Sequence, residues 1–258
     1  MPIIDVTTEG NEEFYKGWYY PSTEWKIPGP KVVKLPDYYS FDLEKMKAQV
    51  LDIKNNYGFE PFPIKKDGTK KRRTYKGIGL TARPDADNPL YDSLHLYSKD
   101  GELDITDSFD VQALDTADKT VVPLYEKHFS EPTEIFKGYI AEVLGKFKSP
   151  LTKTRILELS PKGIITPHVD FPYYEQIRVH AVIETNDDVY WEVEGEKFRI
   201  PADGNFYWFD TGRYHAVWND GKTDRIVLSV NLSIYSDRDG NPINRDISID
   251  DILISDKL

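Results

Sequence analysis

The sequence predicts a mainly β fold of the jelly-roll type, with helices packed against its outside. Two observations support this prediction. From Arg155 onward, short runs of alternating apolar and polar residues are separated by turn residues, which is typical of strands in a β-sandwich or barrel. Before that point, two longer segments instead repeat apolar residues every three or four positions, which indicates amphipathic helices.

The two helices are predicted over residues 41–54 and 132–148. Each segment places its apolar residues on one helical face, so each would bury that face against the strands. The apolar positions of the first helix are Leu43, Met46, Val50 and Ile53. Because no repeat and no linker interrupts the chain, we expect a single domain, with a β core over about 152–236 and a helical N-terminal part over 1–151.

Eight strands are predicted after residue 154. The segments between them, such as 160–163 and 185–188, contain the Gly, Pro, Asn, Asp and Ser residues that favour turns. The predicted strands cover residues 155–159, 164–170, 177–184, 189–194, 197–201, 205–210, 215–219 and 225–235.

Composition narrows the possible functions. The chain has 258 residues, of which 39% are hydrophobic and 13% aromatic, enough for a sizeable core. Its formal net charge of -11 argues against a general nucleic-acid binder, which would need a basic surface. The absence of cysteine excludes disulfides, thiolate catalysis and Cys-ligated metals. Any metal would therefore bind to His, Asp or Glu.

The sequence predicts a cytoplasmic protein that does not cross a membrane. Residues 1–20 lack the basic start and apolar centre of a signal peptide, and no segment approaches the ~20 apolar residues that a spanning helix needs. A basic cluster within 65–76 resembles a nucleic-acid patch, but its turn residues and the acidic chain favour a solvated hairpin loop. A loop that contacts an acidic substrate group is the alternative.

A pair of potential metal ligands lies in the segment TPHVDFP, residues 166–172. If this segment is extended, His168 and Asp170 project to the same face, because side chains two apart in a strand share a face. Such a pair is common and weak evidence by itself. His215 follows later at the start of a predicted strand and among aromatic residues. Two histidines and one carboxylate can hold iron(II) on one face and leave positions open for a cosubstrate and dioxygen.

Three further polar residues alternate with apolar ones in predicted strands. Arg225 precedes Ile226 and faces away from the apolar set of its strand, while Arg178 and His180 share one face of theirs. An arginine that points into a barrel would need a carboxylate partner, for which its guanidinium provides a two-pronged fit. Either face could instead be exposed to solvent.

Four of these segments together resemble the aspartyl/asparaginyl β-hydroxylase family of iron(II)- and 2-oxoglutarate-dependent dioxygenases, which includes some proline hydroxylases. The resemblance covers about a third of the chain, over 155–235. The segments, in the family's order, are PKGIITPHVD, IRVHAVI, FDTGRYHAVWN and DRIVLSVNL.

The resemblance implies a double-stranded β-helix, a cupin-like jelly roll, and an enzyme that hydroxylates an unactivated C–H bond with O2. It implies that His168, Asp170 and His215 are the metal ligands and that Arg225 holds the far carboxylate of 2-oxoglutarate. Arg178 and His180 would lie near the metal-binding end of that cosubstrate. Leucines stand where some relatives carry a hydroxyl-bearing residue, so Ser229 or a tyrosine could replace it.

The substrate is left open between a small amino-acid-like molecule and a peptide side chain, with residues 1–151 as the substrate-facing part. A free amino acid would require one further arginine in the pocket, for which Arg83, Arg155 and Arg213 are candidates. Two other functions also fit the strand pattern. One is a cupin-type metal-dependent enzyme without 2-oxoglutarate, and the other is a non-catalytic jelly-roll binding module.

Overall fold

A computed structural model describes residues 3–5, 31–63, 71–94, 126–168, 170 and 176–233 of the chain. Two β-sheets account for most of these residues, which confirms the mainly β jelly-roll prediction. The helices are α1 (Leu43–Tyr57), α2 (Pro89–Asp92) and α3 (Gly138–Leu144), with 3-10 turns at Asp37–Tyr39 and Glu126–His128. In this part of the chain, no helix is both long enough and apolar enough to span a membrane.

The strands are numbered in chain order. The first six are β1 (Ile3–Asp5), β2 (Val32–Lys34), β3 (Glu60–Pro63), β4 (Lys71–Gly79), β5 (Thr81–Ala82) and β6 (Glu131–Pro132). The remaining eight are β7 (Leu151–Leu159), β8 (Ile164–His168), β9 (Gln176–Glu184), β10 (Val189–Val193), β11 (Glu196–Arg199), β12 (Phe206–Phe209), β13 (His215–Asn219) and β14 (Arg225–Ser233).

The strands form a large and a small sheet. The large sheet has seven strands in the order β2-β12-β9-β14-β7-β4-β3, and the small sheet has five in the order β1-β11-β10-β13-β8. Strands β5 and β6 pair separately. The central strand β14 pairs antiparallel with β7 on one side and with β9 on the other. These three long strands therefore form the platform on which the inward side chains are arranged.

Each face of the large sheet has its own apolar core. The outer core contains the alternate residues Ile226, Leu228 and Val230 of β14, packed with residues of α1 and α3. The inner core contains Val227 of β14 together with residues of the small sheet, among them Trp191. Burial on both faces explains why β14 is apolar for most of its length, and the strict alternation of its side chains separates the two cores.

The first predicted helix is confirmed, with its end three residues later than predicted. It begins after Asp42, whose carboxylate accepts hydrogen bonds from the backbone N–H groups of Glu44 and Lys45. This capping satisfies donors that have no partner inside the helix. The helix ends at Gly58, whose φ of 77° is accessible to glycine but strained for other residues.

The second predicted helix was too long. Residues 132–148 were expected to be helical, but the α-helix covers only Gly138–Leu144. Pro132 belongs to β6, and the hydroxyl of Thr133 donates to the carbonyl oxygen of Gly79, 2.9 Å away. Gly138 has a φ of 61°, outside the helical region, so the helix cannot extend towards the N-terminus through it. The apolar residues before Gly138 are buried without being helical.

The N-terminal part is less helical than predicted. Strands β2, β3 and β4 all lie before residue 151 and belong to the same sheet as β14. Residues 71–76 of the basic cluster lie in β4, whereas the turn predicted within 64–70 falls outside the described residues. Strands β3 and β4 could not be recognised from the sequence pattern. Prolines in β3 and charged residues in β4 are both depleted in strands. The division of the chain into one domain stays a prediction.

A pair of glycines allows the backbone constraints to be tested. Gly204 has a φ of 78°, and a Cβ there would overlap the carbonyl oxygen of Phe41, whose N–H donates to the carbonyl of Gly204. We expect Gly204→Ala to lower the free energy of unfolding by more than the roughly 1–3 kcal/mol that a backbone strain of this kind alone costs.

Gly58 provides the matched control, because its φ is similar but a Cβ would meet nothing within 4 Å. Gly58→Ala should therefore lose only the unfolding free energy that the strained backbone conformation costs. Urea unfolding of both variants beside the wild type gives the comparison. Equal losses of unfolding free energy in the two variants would show that the overlap with Phe41 does not destabilise the protein.

Candidate metal centre

Three potential metal ligands converge between the two sheets. His168 ends β8, His215 begins β13, and the two residues are direct partners in the antiparallel pairing of these strands. Asp170 follows β8, and its backbone N–H donates to the carbonyl of Thr211 at 2.8 Å. One ligand atom from each of the three side chains lies within 4.8 Å of the other two. This cluster contains all three residues that the sequence assigned to a metal.

The imidazole of His215 is fixed in the orientation that a metal ligand requires. Its Nδ1 lies 2.7 Å from the carbonyl oxygen of Arg213 and donates to it, because a carbonyl can only accept. Nε2 is then unprotonated and lies 3.9 Å from a carboxylate oxygen of Asp170. Burial and, to a lesser degree, the neighbouring His168 lower the pKa of His215 to about 3. The ring is therefore neutral at physiological pH.

The carboxylate of Asp170 faces both histidines. Its Oδ1 lies 3.7 Å from Nε2 of His168, whose ring centroid is 4.2 Å from that of His215. Burial by itself would raise the pKa of Asp170, but the guanidinium of Arg178, with His168 and His215, holds it at about 2. Asp170 is therefore ionised, and it faces the neutral ring of His215.

Arg178 lies behind Asp170 and has acceptors for each of its nitrogens. Nη1 donates to Asp170, Nη2 donates to both carboxylate oxygens of Glu126 at 2.8 and 2.6 Å, and Nε donates to Asn231 at 2.8 Å. Burial would lower the pKa of Arg178, but the two carboxylates raise it. Arg178 was expected at the metal-binding end of a cosubstrate. It lies close to the metal ligands, where it donates to Asp170, Glu126 and Asn231.

Glu126 continues this network away from the centre. The amide of Asn231 donates to it at 2.5 Å, and the ammonium of Lys153 lies 3.2 Å from it. Lys153 is fully buried, which lowers its pKa to about 8. Neither Glu126 nor Lys153 could be assigned from sequence, because each lies where no regular alternation indicates an inward face. Asn231 could have been found, since it continues the inward alternation of Arg225 and Ser229 on β14.

His180 lies beside the centre on the inner face of β9. Its Nε2 is 3.4 Å from the hydroxyl of Ser229, and its buried Nδ1 has no hydrogen-bond partner among the described residues. Burial lowers the pKa of His180 well below its ordinary value, and the positive charges of Arg225 and Arg178 act in the same direction. The predicted shared face of Arg178 and His180 is confirmed, because Ile177 and Val179 lie in the outer core.

Arg225 lies at the other end of the cavity and is only 1% exposed. Its guanidinium lies 4.3 Å from the ring centroid of Trp191, but its Nε and Nη1 have no hydrogen-bond partner in the described part of the chain. Burial lowers the pKa of Arg225 to about 10, so it remains charged at neutral pH. The prediction that Arg225 faces away from the apolar set of β14 is confirmed.

One cavity connects these groups. It is lined by the three candidate ligands and by side chains of the large sheet that include Tyr75, Arg155, His180, Arg225 and Ser229. Trp191 and Phe209 contribute apolar surface, as the aromatic content of these segments suggested. Phe171, Tyr173 and Tyr174, the aromatic residues that follow Asp170 in the sequence, lie outside the described part of the chain. The cavity thus combines a ligand cluster, a buried cation and an apolar wall.

Comparison with known proteins identifies a family whose sequence profile matches this chain. A sequence profile described as aspartyl/asparaginyl β-hydroxylase matches residues 105–233, which is half of the chain of 258 residues. A search of curated proteins found no significant match.

Several solved structures are similar in outline. An oxidoreductase of the 2OG-Fe(II) oxygenase family from Burkholderia pseudomallei is 15% identical, with 83% of this chain and 87% of that chain covered and a TM-score of 0.43. A prolyl-4-hydroxylase from Pseudomonas putida is 12% identical, with 79% and 92% covered and a TM-score of 0.40. A double-stranded β-helix protein from Klebsiella pneumoniae is 18% identical, with 33% and 69% covered and a TM-score of 0.27.

The buried histidines predict how stability depends on pH in the metal-free protein. His180 and His215 have lowered pKa values in the folded state, whereas in the unfolded chain they titrate near 6.5. The stabilisation from this difference is fully present above pH 6.5 and is lost as the pH falls towards the folded-state values. Each histidine should contribute up to about 1.4 kcal/mol per pH unit to the slope between pH 4.5 and 6.

Urea unfolding with a chelator present, at several pH values, measures this slope. His180→Gln removes one of the two groups, so its slope should be smaller than that of the wild type in this window. Identical slopes would mean that His180 titrates normally in the folded protein.

Proposed function

The chain belongs to the aspartyl/asparaginyl β-hydroxylase family, and we propose that this 2-oxoglutarate-dependent hydroxylase binds iron(II) through His168, Asp170 and His215. The observation that supports this assignment most strongly is the coexistence of two features in one cavity. One is the cluster of three ligand atoms, and the other is the buried guanidinium of Arg225, whose Nε and Nη1 find no partner among the described residues. A hydroxylase that uses a dicarboxylate cosubstrate requires both features.

The side chains of the cluster fit iron(II). Two imidazoles and one carboxylate form the ligand set of non-haem iron oxygenases, which leaves positions open for other ligands. The hydrogen bond from Nδ1 of His215 to a backbone carbonyl fixes Nε2 towards the centre, and such bonds are typical of metal-ligating histidines. Arg178 holds one oxygen of Asp170, so that the ligand carboxylate is oriented as well as ionised.

The far end of the cavity fits the distal carboxylate of 2-oxoglutarate. Arg225 can offer two parallel N–H groups to a carboxylate, which is the strongest arrangement available to an arginine. A buried guanidinium without an anion is unfavourable, and a ligand carboxylate in this position would remove that cost. Trp191 beside Arg225 and Phe209 beside His215 contribute apolar surface to the cavity.

When bound, iron(II) with 2-oxoglutarate and O2 supplies the oxidant for hydroxylating an unactivated C–H bond, with succinate and carbon dioxide as products of the cosubstrate. The protein contributes position and a dry environment. His168, Asp170 and His215 hold the metal, Arg225 aligns the cosubstrate along the cavity, and His180 remains neutral beside the metal ligands. Because His180 is held neutral, it adds no positive charge near them.

The substrate is a small amino-acid-like molecule or a peptide side chain. The two other functions considered from sequence are less well supported. A non-catalytic jelly-roll module would not need a buried cation in its cavity, and a cupin-type enzyme without 2-oxoglutarate would not need one placed opposite the ligand cluster. A cytoplasmic location and the absence of nucleic-acid partners remain predictions from composition.

Succinate formation tests the proposed function. The purified protein is incubated with iron(II), 2-oxoglutarate and O2, alone and with a panel of amino acids and short peptides. We expect succinate that requires all three components and increases with a substrate. Succinate that never rises above a metal-free control would contradict the proposed function.

Two variants should separate metal binding from cosubstrate binding. Arg225→Ala should weaken 2-oxoglutarate binding by about 2 to 5 kcal/mol, because a carboxylate loses its buried partner, while iron stoichiometry stays nearly unchanged. Asp170→Ala should lower iron stoichiometry and abolish succinate formation, because it removes a charged ligand. Metal analysis and 2-oxoglutarate titration of both proteins provide the measurements.

The reverse pattern would overturn the assignments. Full iron occupancy and normal turnover in Asp170→Ala would show that this residue is not a ligand. Unchanged 2-oxoglutarate affinity in Arg225→Ala would show that the cosubstrate lies elsewhere.

A further inference from the structure

A second arginine without a carboxylate partner in the described part of the chain lies in the same cavity as Arg225. Arg155 on β7 is only 6% exposed and lines the cavity. Its Nε has no hydrogen-bond partner, and among the described residues no carboxylate lies within ion-pair distance of its guanidinium. A buried guanidinium without an anion is unfavourable. This position therefore suits an anionic group that a ligand brings.

The other cations considered for such a role already have carboxylate partners. Arg83 donates to both oxygens of Asp92, and Arg213 donates to Asp210 and to Glu194. Arg178 is held by Asp170 and Glu126, as described above. Of the three arginines that the sequence offered for a substrate carboxylate, only Arg155 lines the cavity.

The strand register separates Arg155 from Arg225. Ser229 pairs with His180 on β9 and with Arg155 on β7, so these three residues form one row across the large sheet. Arg225 instead pairs with Leu159, which is four residues from Arg155 along β7. At about 3.3 Å per residue, the two backbone positions are about 13 Å apart. Arg155 therefore belongs to the end of the cavity that contains His180 and the metal ligands.

The surroundings of Arg155 are shaped for a planar group. The ring of Phe62 lies 6.0 Å from the guanidinium and stacks on the ring of Tyr75, with centroids 4.1 Å apart and planes 8° from parallel. An aromatic face beside a guanidinium attracts its charge and restricts its orientation. Tyr75 itself also lines the cavity. Arg155 thus has aromatic rings on one side and the polar row of Ser229 and His180 on the other.

We propose that Arg155 binds a free carboxylate of the molecule that is hydroxylated. If that group is the α-carboxylate, the substrate is an amino acid or a related small acid. A residue within a peptide chain has its α-carboxyl in an amide and could offer only a side-chain carboxylate, which the comparison of acid with amide distinguishes. The pair would fix the substrate at the metal end of the cavity, opposite the carboxylate held by Arg225. This inference rests on the proposed function and specifies its substrate class.

Acids and their amides provide the test in the wild-type protein. The protein is loaded with Mn(II) and 2-oxoglutarate under nitrogen, and the twenty L-amino acids and the corresponding L-amino acid amides are titrated by calorimetry. We expect at least one acid to bind and its amide to bind at least about 30-fold more weakly, the loss that an unpaired buried charge produces. Equal affinity for acid and amide, or no binding by any acid, would overturn the proposal.

Variants of Arg155 identify the residue responsible. Arg155→Gln should bind the acid more weakly by a similar factor and bind 2-oxoglutarate with unchanged affinity. Arg155→Lys keeps the charge but not the two-pronged guanidinium, so its affinity for the acid should fall by an intermediate factor. Arg83→Gln removes an arginine outside the cavity and should bind the acid as the wild type does.

The 2-oxoglutarate titration also distinguishes the two sources of a carboxylate. If Arg155→Gln weakens 2-oxoglutarate and leaves the amino acid unaffected, Arg155 serves the cosubstrate and the inference is wrong. If Arg155→Gln does not fold, the acid affinity of Arg155→Lys and the ratio of acid to amide affinity in the wild type still test the proposal. If wild-type protein binds no 2-oxoglutarate at all, the proposed function fails, which differs from a failure of the acid-to-amide test alone.

Discussion

The contact between Arg178 and two carboxylates is the constraint on which the centre depends. Asp170 lies in a loop after β8, Glu126 in a 3-10 turn, and Asn231 on β14, and the guanidinium of Arg178 joins all three. Buried charges in such a network are costly unless each has a partner, and removing one member leaves the others uncompensated. The network therefore determines where Asp170 can be, and the two histidines are placed relative to it by the pairing of β8 with β13.

The charges of the cavity are divided between its walls. The ligand cluster consists of an ionised carboxylate and the neutral His215 with its partner His168, whereas the large sheet supplies Arg225 and Arg155 without protein anions of their own. In a low-dielectric space this division attracts a metal cation to one side and carboxylates to the other. One side of the cavity therefore favours a metal cation, and the other favours carboxylates.

Much of this arrangement was predictable because strands expose their side chains alternately. The inward faces of Arg178, His180 and Arg225 follow from the apolar residues between them. His168 and Asp170 were expected to share a face of one strand, but β8 ends at His168 and Asp170 lies after it. Lys153 could not be found in this way, because its φ of 41° interrupts the regular geometry of β7, every residue of which is buried. Glu126 lies in a short turn without periodicity. The three N-terminal strands of the large sheet were missed because charges and prolines obscure their pattern.

The stacking of Arg225 on Trp191 connects ligand supply to the lifetime of the folded protein. In the folded chain the guanidinium is removed from water and lies against the indole. A ligand that binds only the folded state raises stability in proportion to the logarithm of its concentration. Abundance in a cell follows stability, because unfolded molecules are the ones that proteases degrade. For a chain with this cavity, a shortage of the dicarboxylate would lower the amount of enzyme as well as its rate of turnover.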